Sequence, residues 1–248
     1  METYKTAQVA EIIGIHPNTV RLYEELELIP KAERRSNGYR VFTALHIEQF
    51  ELARMALKVE VLQNGLRKKA IDIIKTSARC DFDGAIGLTE EYLRSIKREQ
   101  KNAEEAILIA ERHLTKENQE TESLCLTRQE AADYLDITID TLRNWELNGL
   151  LTVKRRQNGY RVYSDEDVRR LKIIRSLRCA NYSLSAILRL LSAVSGNPET
   201  DIRATIDTPE ADDDIISVCD RLITSLRDAE VNARGMLAKL HRMKKLYK

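Results

Sequence analysis

One eight-residue segment occurs twice in this chain of 248 residues. Arg34-Arg35-Ser36-Asn37-Gly38-Tyr39-Arg40-Val41 returns as Arg155-Arg156-Gln157-Asn158-Gly159-Tyr160-Arg161-Val162, with only the third residue changed. Asn-Gly between two strand-prone runs predicts a hairpin with a type I′ turn, in which both central residues take positive φ. Three arginines and a tyrosine dress each turn, making a small basic finger able to lie along phosphates. A single such hairpin could be a solvated turn and nothing more. Two of them in matching surroundings make the chain a tandem repeat, so any fold it adopts must hold the same unit twice.

The stretches around the hairpins are helical in character. With only 9 Gly and 4 Pro against 32% charged residues, the chain reads as a mainly α protein. No apolar run approaches the roughly 18 residues of a membrane span, and Met1–Lys5 has no apolar signal core behind it. The expectation is a cytoplasmic protein with no membrane partner. Cys80, Cys125, Cys179 and Cys219 are widely scattered, which favours reduced thiols over a disulfide framework. The net charge of +1 hides an uneven distribution. Residues 1–75 hold 12 basic against 10 acidic residues, and residues 124–196 hold 12 against 8. An acidic joint at 197–214 (1 against 7) precedes a basic end at 215–248 (8 against 3).

In chain order, Lys5–Ile15 predicts a short helix capped by Thr6, with Val9, Ile12 and Ile13 on its apolar face and Gly14 as its stop. A second helix runs from Pro17 to about Leu26, and the hairpin follows. Short helix, tight turn, second helix is helix-turn-helix grammar. Apolar spacing then predicts helices over Leu45–Lys58 and Leu66–Ile74. The second copy repeats the order with helices at Thr127–Leu135, Thr138 to about Asn148, Asp165–Arg178 and Ser183–Ala193. Aligned this way, Glu24 falls on Glu146, Tyr23 on Trp145 and Arg54 on Arg175, and Glu27 stands where the second copy has Gly149. A glycine is the easier residue at such a turn.

Each copy is followed by a long helix with a heptad seam. Leu93, Ile96, Gln100, Ala103, Ile107, Ala110 and Leu114 step by threes and fours within 89–118. Ile215, Cys219, Leu222, Leu226, Ala229, Ala233, Met236, Leu240, Met243 and Tyr247 do the same within 212–247. Such stripes are coiled-coil seams. The predicted organisation is a first winged helix-turn-helix domain at 1–75, linker and long helix at 76–123, a second winged domain at 124–196, and an acidic linker with the last long helix at 197–248.

Thr-Val-Arg-Leu-Tyr-Glu (19–24) before Asn-Gly-Tyr-Arg-Val-Phe (37–42), and Thr-Leu-Arg-Asn-Trp-Glu (141–146) before Asn-Gly-Tyr-Arg-Val-Tyr (158–163), resemble the MerR family of transcriptional regulators. Members of that family usually carry one such lobe and pair through antiparallel long helices on a near-palindromic promoter site. Two lobes and two long helices in one chain imply a single-chain pseudo-dimer, monomeric and covering both half-sites. The rival arrangement has each seam pairing with a second chain. Internal pairing has the higher effective concentration. The resemblance further implies double-stranded promoter DNA as partner, RNA polymerase beside it, and a nucleoid-associated location.

The residues that would carry DNA binding follow from position. The amino end of the second helix presents His16, Asn18 and Thr19 in one copy, and Thr138, Asp140 and Thr141 in the other, within reach of base edges. Arg21 and Arg143 can serve bases or phosphates, and Asn144 stands where the first copy has Leu22. Tyr39, Arg40, Tyr160 and Arg161 would fix the wings on the backbone, beside the turn residues Asn37 and Asn158. Arg34, Arg35, Arg155 and Arg156 add charge. Tyr23 and Trp145 face the backbone by family analogy, yet an aromatic at that helical position is as often core; both readings stay open. Because the two reading helices differ, the expected site is an imperfect palindrome.

Other chemistries find less in the sequence. Some members of the family bind metals through a cysteine near the start of the long helix and a pair beyond its end; Cys80 matches the first, and only His113 and Cys125 follow. Cys219 reads as a seam residue and Cys179 as lobe packing. Asp212-Asp213-Asp214 reads as a negative first turn favouring the helix dipole. No P-loop, Gly-x-Ser-x-Gly or metal-ligand pair of histidines occurs, so no enzyme, metal or cofactor is expected. A ligand pocket among the helices and the linkers 76–88 and 195–211 stays open. An architectural, chromosome-organising protein is the alternative to a promoter regulator, and a metal- or ligand-responsive sensor the lesser one.

Overall fold

The structure, a computed structural model, describes residues 2–58, 65–115, 125–154, 159, 161–197, 200–208 and 221–247. The chain forms two compact units, one of residues 1–98 with 225–248 and one of residues 99–224. Both are built mainly from helices, and no described helix is long and apolar enough to cross a membrane.

In the first unit, β1 (Thr3–Tyr4) leads into α1 (Thr6–Ile13) and α2 (Pro17–Glu25). Thr6 is not the cap. Lys5 holds the extended cap conformation (φ −84°) and its N–H donates to Gln8 Oε1 at 2.8 Å, so Thr6 is already helical. Gly14, at φ 68°, stops α1 as expected. Strands β2 (Glu33–Arg34) and β3 (Arg40–Thr43) form the wing, and β3 also pairs with β1, giving the order β1-β3-β2. The turn departs from type I′. Asn37 is not left-handed; only Gly38 is (φ 80°), its N–H donating to Arg35 O at 2.8 Å while Arg35 N–H donates to Tyr39 O at 2.9 Å. Pairing of Arg34 with Arg40 leaves Ser36, Asn37 and Gly38 in the loop, one residue more than type I′ spans, and the glycine absorbs the extra residue as a bulge.

Thr43 then caps α3 (Ala44–Leu57), which is followed by α4 (Leu66–Ala78). The expected domain edge at 75 falls inside α4. Val9, Ala10, Val20, Ile29, Ala32, Phe42 and Phe50 form the lobe core, with Tyr4, Ile13, Ile15, Tyr23 and Ile47 packed against it. A buried polar bolt crosses this core. Gln49 Nε2 donates to Leu28 O (3.1 Å) and Ile74 O (2.9 Å), and its Oε1 accepts from Ser77 Oγ (2.7 Å), tying the exit of α2 to α3 and α4. The long α5 (Phe82–Thr115) starts earlier than its seam, because Asp81 caps it through Gly84 N–H at 2.9 Å.

The second lobe repeats the plan: β4 (Cys125–Leu126), α6 (Arg128–Tyr134), α7 (Ile139–Leu147), β5 (Tyr163–Ser164), α8 (Asp165–Cys179) and α9 (Leu184–Gly196). Thr127, Thr138, Ser164 and Ser183 each accept an N–H from the first turn of the helix they start. The bolt is present with different chemistry: Arg170, at the position of Gln49, donates from Nε to Leu150 O at 2.8 Å, where Leu150 matches Leu28. The acidic joint is not all linker, since α10 (Ile202–Asp207) packs on α9. Arg203 of α10 pairs with Glu104 of α5 (Nη1–Oε1 2.6 Å).

The last helix, α11 (Leu222–Tyr247), buries every seam residue from Leu222 to Met243, as α5 buries Ile96, Ala103, Ile107 and Ala110. Asp212–Asp214, Ile215 and Cys219 lie outside the described residues. Within the first unit α11 packs on α3. Lys239 is buried at 7% exposure and reaches Glu48 and Glu51 at 2.5 Å each, and Arg242 joins Glu48 at 2.6 Å. Gly235 lets the two helices touch, because a Cβ there would lie 2.9 Å from Met55 Sδ. Lys244 pairs with Asp83 in the first turn of α5. Cys179, expected in lobe packing, is exposed, as are Cys80 and Cys125: it ends α8, two positions beyond Leu177, the last buried residue of that helix.

Two outcomes test this fold. The turns after α2 and α7 are the same, but Glu27 takes φ 58° where Gly149 takes 76°. Glu27→Gly is expected to stabilise the first lobe by about 1 kcal/mol, the left-handed penalty less the added unfolded-chain entropy, read as a raised denaturation midpoint. His46 caps α3 by accepting Thr43 N–H at 3.0 Å, and burial lowers its pKa from the ordinary 6.5. Below about pH 6.5 the unfolded chain takes up a proton that the folded lobe refuses, so stability is full above that pH and declines as pH falls. Urea midpoints between pH 7 and about 5.5 should therefore fall more steeply for the native chain than for His46→Gln, which keeps the capping box.

Candidate nucleic-acid interface

Helices α2 and α7 each have one face in the core and one in solvent. In α2, Val20 is fully buried and Tyr23 stacks on Phe50 with ring centroids 5.2 Å apart. Asn18, Arg21, Leu22 and Glu25, at i, i+3, i+4 and i+7, form an exposed outer face. In α7, Leu142 and Trp145 are buried, while Asp140, Arg143, Asn144 and Leu147 are exposed. The choice left open for the two aromatics falls to the core. Trp145 is 4% exposed and cannot present its ring to a partner, and Tyr23 is spent on Phe50.

His16 and Thr138 sit at the entrances of these helices as caps. His16 Nδ1 accepts Asn18 N–H at 3.2 Å, and Thr138 Oγ1 accepts Thr141 N–H at 3.1 Å. Thr19 and Thr141 are half-buried in the first turns. Arg21 Nη1 donates to Asn18 Oδ1 at 3.2 Å.

On the first wing, Arg34, Arg35, Asn37 and Tyr39 are exposed, Tyr39 at 72%. Asn37 Oδ1 accepts Tyr39 N–H at 3.2 Å, which stiffens the tip. On the second wing Gly159 keeps the left-handed conformation (φ 80°), and Val162 N–H donates to Lys154 O at 3.2 Å. Arg155, Arg156, Asn158 and Tyr160 lie outside the described residues.

Arg40 and Arg161, expected on phosphates, are turned inward. Arg40 Nε donates to Glu24 Oε2 at 2.5 Å, and Glu24 Oε1 accepts Ala32 N–H at 3.0 Å. Arg161 Nε donates to Glu146 Oε2 at 2.9 Å; the same oxygen accepts from Arg128 Nη2 at 2.7 Å, and the other accepts the Tyr163 hydroxyl. These carboxylates are 9% and 7% exposed and sit on α2 and α7, so each clamps its wing to the helix beside it. Burial, with Glu146 next to it, pushes the Tyr163 hydroxyl up to about 12, so it stays protonated and donates. The sequence carried a signal for this pair, an identical Glu and Arg in both copies, but not its direction: an arginine on a hairpin tip reads as outward.

A helix with a solvated outer face and a basic hairpin held beside it, with the helix and the arginine–glutamate pair repeated in the second lobe, define a tandem winged helix-turn-helix protein. Comparison with known proteins sharpens this. Residues 5–42 match the MerR family regulatory proteins, and residues 126–194 match the MerR HTH family regulatory proteins. Two separate segments of the chain are thus similar to MerR-type helix-turn-helix regions. The chain is 42% identical over 53 residues to the HTH-type transcriptional regulator CueR of Yersinia pestis, covering 21% of this chain and 38% of that protein. It is 25% identical over 96 residues to the mercuric resistance operon regulatory protein of Bacillus cereus (38% and 73%), and 38% identical over 64 residues to ZntR of Escherichia coli K12 (25% and 45%). The chain thus spans less than half of the length of the CueR and ZntR relatives. No solved structure matches the chain.

Removing the clamp should loosen the wing before it unfolds the lobe. Glu24→Ala leaves the Arg40 guanidinium and the Ala32 N–H without their acceptor, a loss of about 3 kcal/mol for a largely buried pair. Hydrogen exchange at Arg35 and Gly38 should rise in that variant more than exchange at Val9 and Val20, which lie in the core.

Proposed function

We propose that the chain is a sequence-specific double-stranded-DNA-binding transcriptional regulator of MerR type, in which one polypeptide reads both halves of an imperfect palindrome in a promoter. The observation that carries this reading is the pair of solvated helix faces, each with a wing fixed beside it by a buried glutamate. α2 and α7 enter adjacent major grooves, and the wings lie on flanking phosphates. Arg34, Arg35, Arg155 and Arg156 supply charge to the backbone, with Tyr39 and Tyr160 beside them. Arg40 and Arg161 act as buttresses that aim the wings. Asn18, Thr19, Arg21, Asp140, Thr141, Arg143 and Asn144 meet bases or the phosphates at the groove edge.

The two lobes act as an internal pseudo-dimer, so that a monomer suffices. Support comes from the place of the terminal helix: α11 is held to the first lobe by the buried Lys239 cluster, and Lys244 near its end pairs with Asp83 at the start of α5. Promoter DNA is the partner in the cytoplasm, RNA polymerase joins it there, and regulation acts through the DNA rather than through catalysis. Bending and untwisting of an overlong promoter spacer is the mode of action that the family suggests.

Footprinting on genomic DNA tests the reading. One short protected site within a promoter is the expected result; broad coverage without sequence preference would make the protein architectural instead. Affinity should fall steeply with salt, and Arg35→Ala should weaken binding to all sequences alike and reduce the salt slope by about 1. Sedimentation of the complex should give one chain per site.

A further inference from the structure

The two reading faces match in shape and differ in hydrogen-bonding chemistry. We infer that the first lobe selects the guanine edge of a G·C pair with a thymine beside it, and that the second lobe selects the cytosine edge at the matching position. This rests on the DNA-reading assignment of α2 and α7 made above.

In α2 Asn18 Oδ1 accepts from Arg21 Nη1 at 3.2 Å, which joins the two side chains and leaves the oxygen one lone pair. The Asn18 amide NH₂ and the other N–H groups of Arg21 make this outward pair richer in donors than in acceptors. In the major groove guanine alone offers two acceptors side by side, N7 and O6, so a donor-rich pair led by Arg21 prefers it. Leu22, four residues from Asn18 on the same face, is 48% exposed. An apolar side chain there has one favourable base partner, the C5 methyl of thymine.

In α7 the residue at the Asn18 position is Asp140, exposed and acceptor-only when ionised. Against guanine N7 and O6 it would be repelled; against cytosine N4–H₂ it accepts. Asn144 replaces Leu22 with a polar amide that is exposed on the same face, so the methyl contact is lost. Backbone geometry does not separate the two helices. Each starts at a capped residue, each packs its inner aromatic against the lobe core, and each ends in a left-handed turn. Selectivity between the half-sites therefore lies in the pairs 18/140 and 22/144.

The test uses the full chain and a duplex library with both half-sites randomised, with the bound fraction sequenced. The native protein should select two unlike half-sites, with guanine and an adjacent thymine in one and cytosine at the matching place of the other. The double variant Asp140→Asn with Asn144→Leu should turn the second half-site into the first, with a switch of about tenfold in preference, as one good base contact commands. The reciprocal variant Asn18→Asp with Leu22→Asn should move the first half-site to cytosine, and serves if the other folds poorly. Because removing a negative charge raises affinity for any duplex, the readout is base preference and not affinity. Two identical native half-sites, or unchanged preferences in both variants, would overturn the inference while leaving the regulator reading intact. Retention of no duplex at all, or retention without base enrichment, would instead overturn the sequence-specific reading on which it rests.

Discussion

A carboxylate buried between a helix and a hairpin governs both lobes. Glu24 and Glu146 are acceptors with little access to water, and a buried acceptor must be satisfied or the lobe pays its desolvation. The groups that satisfy it come from elements far apart in sequence: the strand after the wing turn, the segment before it and, in the second lobe, the first helix. A two-stranded wing is too small to hold its own angle. The ion pair fixes it relative to the helix beside it.

The two copies meet the same demand with different residues. Phe42 has no hydroxyl, and Glu24 takes a backbone N–H instead; Tyr163 at the same place supplies the hydroxyl, and Arg128 adds a second guanidinium. A carbonyl just past the second helix, that of Leu28 or Leu150, is held by an amide in one lobe and a guanidinium in the other. His46 and Asp167 cap matching helices from the same position. Even the left-handed turns are exchanged: glycine then glutamate at 14 and 27, aspartate then glycine at 136 and 149. Geometry is kept while donors vary, as expected where the requirement is a satisfied acceptor and not a particular partner.

The outward faces have no such demand on them, and there the copies differ in kind. Leucine stands against asparagine, and asparagine against aspartate, without any change in the helix beneath. A duplicated unit whose inner contacts are fixed and whose outer residues differ is what the proposed reading of two unlike half-sites requires. The terminal helix adds a further constraint, because its buried lysine needs both Glu48 and Glu51 of the first lobe, so the last segment of the chain is bound to the first.

Much of this was legible from residue order. The repeat, the helix-turn-helix spacing, the seams and the strained turn at Glu27 follow from local periodicity and from backbone limits on glycine and its substitutes, which depend only on near neighbours. The outward residues of α2 and α7 were legible too, since helical phase assigns them. What tertiary structure decided was every choice between two plausible environments. The rings of Tyr23 and Trp145 went inward because Phe50 and the lobe core offered surface to bury. Arg40 and Arg161 turned in because a carboxylate waited sixteen and fifteen residues back along the chain. The hairpin took a bulged loop because strand register left it an extra residue, and α4 ran past its expected end while its last turns found a place to pack. A side chain able to serve two partners is assigned by whichever one folding brings near, and that is a property of the assembled lobe.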